Sequence, residues 1–392
     1  MYRFSARSSV LVAVCLVVAC GSEITKLDIE LNGSQESAII HGDRCEEWVY
    51  PSSFAILTDA EISMGGWGGE QAIKAVSCTG TLIAPDVVLT AAHCLDPALL
   101  TMGFGDVKRA DYFVSTQADL SHMTGMATSL PQSSIGVVDY IAHPQFNVNS
   151  MQAQNVSGPA NFYDIGLIFL DTALDIQPAV VITEDEASQI KVGTNVGIVG
   201  WGQQTAARSS PFSQPEPGSV GIKMCADSFI NEIGEMEMQI GGNSTTSRKC
   251  HGDSGGPTYM DVWTQHKIKQ RVIGVTSHAY DYEDCAKGGI DTRVDAWRNW
   301  LNEQMVSRCK NGVRAWCDVE GIVAPSYYDD PPPENSLHDQ GDALAQGDEI
   351  GAVSENGGCQ QTSTKPWFFL LCFGLLLIRN HRFQKEPVLL KL

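Results

Sequence analysis

The chain is short of positive charge. Its 392 residues carry 26 lysines and arginines against 46 aspartates and glutamates, a formal net charge of -20. Nucleic acid and acidic membrane surfaces both demand clustered cations, so the deficit argues against either as a partner. Metal-binding spacings are missing too. No HExxH and no paired CxxC occurs, and no loop offers a convincing calcium ligand set, so neither a metal nor another cofactor is expected. Long apolar runs are absent as well. The stretch from Trp367 to Ile378 would span about 18 Å as a helix, against about 30 Å of bilayer core, which makes it a poor permanent anchor. Long helical periods are also scarce. Hydrophobic residues still make up 43% of the chain, enough for a sizeable core.

The ends read as targeting segments. Residues 1–20 place Arg3 and Arg7 before an apolar run, Val10 to Ala19, and then Cys20, which is the pattern of an export signal. The "VVAC" end resembles a bacterial lipobox, with Cys20 as the lipidated residue; the alternative is an ordinary signal peptide with an incidental cysteine. Residues 21–38 form a polar spacer or propeptide. A folded domain is expected over 39–306. Residues 307–366 hold a cysteine-containing segment and then, from Val319 to Gly358, an acidic stretch without Lys or Arg that reads as a disordered linker stiffened by "DDPPPE". Residues 367–392 combine an apolar run with a basic end. Together with Cys359 they resemble the C-terminal sorting tails of the myxobacterial type, the alternative being a short single-pass helix. The protein is therefore expected to be exported to a bacterial cell envelope or surface, attached through Cys20 or the tail, or released.

Between these ends the chain is built of short β-branched runs such as "SFAIL", "DIGLIFL" and "RVIGVTS", separated by Gly, Pro, Asn and Asp. They predict an all-β sandwich or barrel. One amphipathic helix, "VDAWRNWLNEQM", closes the domain through Val294, Trp297, Trp300, Leu301 and Met305. Three segments then occur in one order: "LTAAHC" with His93, "YDIGLIFLD" with Asp164 and "GDSGGP" with Ser254. A serine hydroxyl is a weak nucleophile at neutral pH and needs an adjacent base, and an imidazole base needs a carboxylate to orient it. From Ile39 to Met305 the chain resembles the trypsin/chymotrypsin-like serine proteases.

That resemblance implies two six-stranded antiparallel β-barrels with the active site between them and a C-terminal helix. It makes Ser254 the nucleophile, His93 the general base and acid, and Asp164 the group that fixes the imidazole. The backbone N–H groups of Gly252 and Ser254 would form the oxyanion hole. "IIHG" resembles the new N-terminus of an activated member, so cleavage after Ala38 would free the Ile39 ammonium to pair with Asp253. Ala38 is not basic, which speaks against self-activation by a tryptic specificity and calls for an activating protease. Protein or peptide substrates are implied, the other reading being a catalytically silent protease-fold binding module.

Export implies an oxidising compartment, where cysteines are bridged. Of twelve cysteines, setting aside Cys15, Cys20 and Cys372 leaves an odd number. The resemblance pairs Cys78 with Cys94 and Cys250 with Cys285. The family often has a cysteine near Cys225, but its expected partner is replaced around Ile240. A local Cys309–Cys317 bridge would leave Cys45 with Cys225.

The same resemblance puts Arg248 on the floor of the specificity pocket, with Ser277, Ala279, Gly289 and Asp291 among its walls. Trypsin-like members carry Asp at the floor, so cleavage after Arg or Lys does not follow here. Three arrangements are open: a guanidinium that attracts Asp or Glu, an Arg248–Asp291 pair that favours a small or apolar residue, or an Arg248 that reaches solvent over a shallow pocket. Enlarged loops are expected around Gly65, Ser115 to Gln132 and Asn147 to Asn161.

Overall fold

The computed structural model describes residues 39–329, apart from 64–68, 102–104, 124–126, 128, 154–156, 204–219, 244 and 282–283. The expected export signal, spacer and tail, with Cys20 and Cys359, lie outside the described residues. So do the loop at Gly65 and most of the acidic linker.

A two-residue strand, β1 (Asp43–Arg44), comes first. Six strands then close a barrel: β2 (Ser53–Ser63), β3 (Glu70–Ala84), β4 (Val87–Thr90), β5 (Asp106–Ser115), β6 (Ile135–Ala142) and β7 (Gly166–Leu170), joined in the order β2-β3-β4-β7-β6-β5. A one-turn helix, α1 (Val148–Ala153), lies in the expected insertion before β7, and another, α2 (Glu184–Ala187), leads to the second barrel. That barrel consists of β8 (Asn195–Gly200), β9 (Met224–Ile233), β10 (Glu237–Ile240), β11 (Pro257–Thr264), β12 (Lys267–Asp281) and β13 (Asp284–Arg293). Its strands follow the order β9-β10-β13-β12-β11-β8, and a β8–β9 pairing closes the ring, with β1 added at the edge of β9. The neighbouring strands pair antiparallel throughout. The expected all-β architecture of two six-stranded barrels is the observed one.

Closure leaves each barrel without a free edge and buries its β-branched and aromatic residues. Phe54, Leu57, Leu82, Leu89, Leu167 and Phe169 are fully buried in the first barrel; Ile198, Ile230, Met238, Ile240, Val262 and Ile273 are fully buried in the second. The barrels meet through polar groups as well. The Tyr259 hydroxyl lies 3.0 Å from both Ser52 Oγ and Ser53 Oγ, and its ring stacks on Tyr50 with centroids 4.9 Å apart.

The amphipathic helix is α3 (Val294–Lys310), which buries Val294, Leu301 and Met305 completely. The folded body does not stop at 306, however, and residues 319–329 are not a solvated linker. A disulfide joins Cys309 to Cys317, and Arg314 just inside that loop reaches the turn between β3 and β4, where it meets Asp86 at 2.7 Å with both side chains fully buried. The Trp316 N–H donates to the same carboxylate at 2.9 Å. Val323 is buried, and Trp316, Val319 and Ile322 pack on the core. The segment ends in α4 (Pro325–Asp329), whose Asp329 meets Arg271 of β12 at 2.6 Å, beside Glu186 of α2 at 2.9 Å. The strap thus ties a turn of the first barrel to a strand of the second.

Candidate active site

β4 ends at Thr90, and two residues later the chain forms a 3-10 turn, His93–Leu95. The Cys78–Cys94 disulfide ties that turn to β3, with Cα atoms 6.0 Å apart. Asp164 stands just before β7, the strand paired with β4, so the sheet itself sets the two side by side. His93 Nδ1 lies 2.7 Å from Asp164 Oδ2, and the His93 backbone N–H donates to Oδ1 at 2.9 Å.

Asp164 is fully buried. The Ser277 hydroxyl of β12 donates to its Oδ2 at 2.6 Å, and the Thr292 hydroxyl of β13 donates to its backbone carbonyl at 2.9 Å. Burial works against its charge, yet the facing His93 and the hydrogen bond from Ser277 hold the carboxyl below the usual carboxylate range. A buried anion at Nδ1 demands a proton there, which leaves Nε2 as the basic nitrogen. The hydroxyl of Ser277, a residue expected in the specificity pocket, is turned to Asp164.

Ser254 comes from the second barrel. Its carbonyl accepts from Thr79 N of β3 at 2.8 Å, and the following Gly255 donates to Thr276 O of β12 at 2.7 Å. Gly255 has φ +78°, and a Cβ there would collide with Thr90 Oγ1 and the Thr79 carbonyl oxygen. Glycine is needed at this point, because the Ser254 loop lies directly against the end of the strand that leads to His93. Among the described residues the N–H groups of Gly252 and Ser254 donate to no intramolecular acceptor.

Asp253, one residue earlier, is fully buried. It accepts from Cys250 N and Gly202 N, each at 2.9 Å. Burial pushes its carboxyl up to about 6 against the opposing pull of those donors, of Lys249 and of the Ile39 backbone N–H. Ile39 itself is fully buried, and in the intact chain its backbone N–H lies beside Asp253.

Among the described residues four disulfides form: Cys45–Cys225, Cys78–Cys94, Cys250–Cys285 and Cys309–Cys317. Two Cys–His–Cys groupings, around His93 and His251, contain bridged cysteines and thus offer no thiolate to a metal.

The pocket departs from two of the three expected arrangements. Arg248 is buried, with Nη1 donating to Thr246 O at 3.0 Å and Nε to Cys285 O at 2.5 Å, so it does not reach solvent. It also does not pair with Asp291. The Asp291 carboxylate is held by the next residue, Lys249, at 2.9 Å, and by the Thr258 hydroxyl at 2.5 Å. Lys249 and Asp291 side chains are both fully buried. Gly289 lies beside Lys249 and pairs with Ala279 across β12 and β13. His278 Nε2, between Ser277 and Ala279, sits 3.4 Å from Glu237 Oε2, and the same carboxyl group accepts from Ala160 N and Phe162 N.

The family profile described as Trypsin matches residues 59–301. A trypsin of Phaedon cochleariae is 27% identical over 233 residues, covering 58% of this chain and 78% of that protein. Phenoloxidase-activating enzyme 1 of Spodoptera litura is 25% identical over 258 residues, and the chain spans 62% of its length. Kallikrein-8 of Homo sapiens is 26% identical over 283 residues, covering 70% of this chain and 89% of that one. Among solved structures, the serine protease neuropsin of mouse brain is matched with a TM-score of 0.44 and 22% identity, covering 68% of this chain and 99% of that one. The chain belongs to the trypsin family.

Proposed function

We propose that the protein is an exported serine endopeptidase, made as a zymogen and activated by cleavage before Ile39. The observation that carries this reading is the hydrogen-bonded Asp164–His93 pair, with the Ser254 loop packed against the strand that leads to His93.

In the reaction, His93 Nε2 takes the Ser254 proton as Oγ attacks the peptide carbonyl. The Gly252 and Ser254 N–H groups receive the oxyanion, a contribution of about 3 kcal/mol per donor to the barrier. Asp164 stays ionised and stabilises the imidazolium. His93 then protonates the leaving amine, and a water, deprotonated by the same imidazole, hydrolyses the acyl-enzyme. Cleavage before Ile39 converts the N–H beside Asp253 into an ammonium, which a buried carboxylate at that place requires. Export to the cell envelope, with attachment at Cys20 or through the C-terminal tail, belongs to the same proposal and rests on the sequence of the two ends.

Incubating the cleaved protein with denatured protein substrates and sequencing the products tests the reading. New peptide termini that disappear in Ser254→Ala are expected. A cleaved, folded protein that releases none would point to a protease-fold binding module.

A further inference from the structure

Behind the nucleophile loop the second barrel holds a buried cation that the reaction does not use. Lys249 Nζ has three N–H bonds, and each is taken: Asp291 at 2.9 and 3.2 Å, Thr258 Oγ1 at 2.7 Å, and Gly256 O at 3.4 Å. Asp291 is equally committed, since Thr258 donates to the oxygen that Lys249 also contacts. The pair therefore closes on itself and presents no free donor or acceptor.

Its position is what matters. Gly256 and Thr258 follow Ser254 directly, and Asp291 follows Gly289, which faces Ala279 and lies beside the carbonyl of His278. A Cβ on Gly289 would be 3.5 Å from Lys249 Cβ, ordinary van der Waals contact. Lys249 thus lies alongside Gly289, and neither Lys249 nor Asp291 offers exposed side-chain surface to a long substrate side chain.

Resting on the protease reading above, we infer that the buried Lys249–Asp291 pair closes the specificity pocket, so that the enzyme takes small uncharged residues, Ala, Gly or Ser, before the scissile bond. A substrate Arg or Lys would bring a second cation to Lys249, whose hydrogen-bonded carboxylate, Asp291, is already engaged. A substrate Asp or Glu would find an ammonium with no proton left to donate, and separating a buried pair to free one leaves the other charge uncompensated. Large aromatic or branched residues meet the Lys249 stem.

This inference bears on activation. The residue before Ile39 is Ala38, a member of the class this pocket admits. The chain can then act on a second copy of itself: water adds across the Ala38–Ile39 amide, leaving a carboxylate on Ala38 and an ammonium on Ile39. No basic residue is needed at the cut.

The full-length chain, cleaved before Ile39, is first titrated with a small fluorophosphonate and then profiled on a peptide library varied at the residue before the scissile bond. Ala, Gly and Ser are expected to exceed Arg, Lys, Asp, Glu and Phe at least tenfold in kcat/KM. The paired change Lys249→Ala with Asp291→Ser is expected to shift the ratio of Leu to Ala by tenfold or more toward Leu. Added to a Ser254→Ala full-length chain, the active protein is expected to produce an Ile39 N-terminus. Labelled enzyme that prefers Arg, Lys, Asp, Glu or Phe overturns the pocket inference and leaves the protease reading standing; folded protein that takes up no label overturns both. Should the paired variant fail to fold, the unmodified enzyme's profile still decides.

Discussion

Asp164 and Asp291 are both fully buried carboxylates within the same cleft region, each bonded to a basic side chain and a hydroxyl. They differ in what their partner can still do. Asp164 holds one nitrogen of His93, a side chain that keeps 11% exposure, and leaves the other nitrogen free to accept a proton. Asp291 holds Lys249, which is sealed at 0% exposure with every proton committed. One buried anion equips a group for proton transfer; the other neutralises a group that fills space. A buried acid does not announce its role, and the spare valence of its partner does.

The largest expected effect comes from breaking the first arrangement without emptying it. Asp164→Asn leaves shape intact but lets the amide favour the wrong imidazole tautomer, and kcat should fall about 10⁴-fold while the melting curve changes little. Breaking the second arrangement should do the reverse. Asp291→Ala strands a buried ammonium, and equilibrium unfolding should register a loss of about 3–5 kcal/mol, whereas removal of both charges in the paired variant costs less. If Asp291→Ala were neutral for stability, Lys249 would not be held as described.

A third carboxylate sharpens the contrast. Asp253 has its donors but no full cation of its own in the intact chain, and burial lifts it from an ordinary 3.8 to about 6. The folded state then keeps a proton that the unfolded chain has released. Stability of the intact chain should therefore be greatest below about pH 4 as far as this group is concerned. It should fall as pH rises to about 6 and stay lost above, by about 3 kcal/mol at roughly 1.4 kcal/mol per pKa unit. Cleavage before Ile39 supplies the missing cation, so denaturant melts of the cleaved protein over the same pH range should lack this fall. The smallest effect is expected at Ser277→Ala. It removes one hydrogen bond to a charged group, worth about 1.5–3 kcal/mol, and should lower kcat with KM nearly unchanged.

The candidate catalytic residues and an all-β fold were legible in the sequence for a simple reason, while the two six-stranded barrels came from the family resemblance. "LTAAHC", "YDIGLIFLD" and "GDSGGP" are local signals, and short β-branched runs between turn residues state their own period. What escaped is made of distant partners. Lys249 sits in plain view before Cys250, but its counterion lies on β13 and its third acceptor, Thr258, on β11, so the pairing exists only once the second barrel closes. Arg248 drew attention as the pocket floor, yet its Nη1 and Nε turn to the carbonyls of Thr246 and Cys285. Ser277 read as a wall residue because its neighbours line the cleft, while β12 turns its hydroxyl toward Asp164. The strap was hidden by composition. Acidic and polar residues dominate after Val319, and the few apolar ones become a core only because Asp86 and Arg271 wait on two different barrels.

The most direct test of the account is the intact mass of the protein, cleaved before Ile39, after exposure to a fluorophosphonate. One adduct on Ser254, absent in Ser254→Ala and slowed by orders of magnitude in Asp164→Asn, is the predicted result. A folded, cleaved protein of unchanged mass would contradict it.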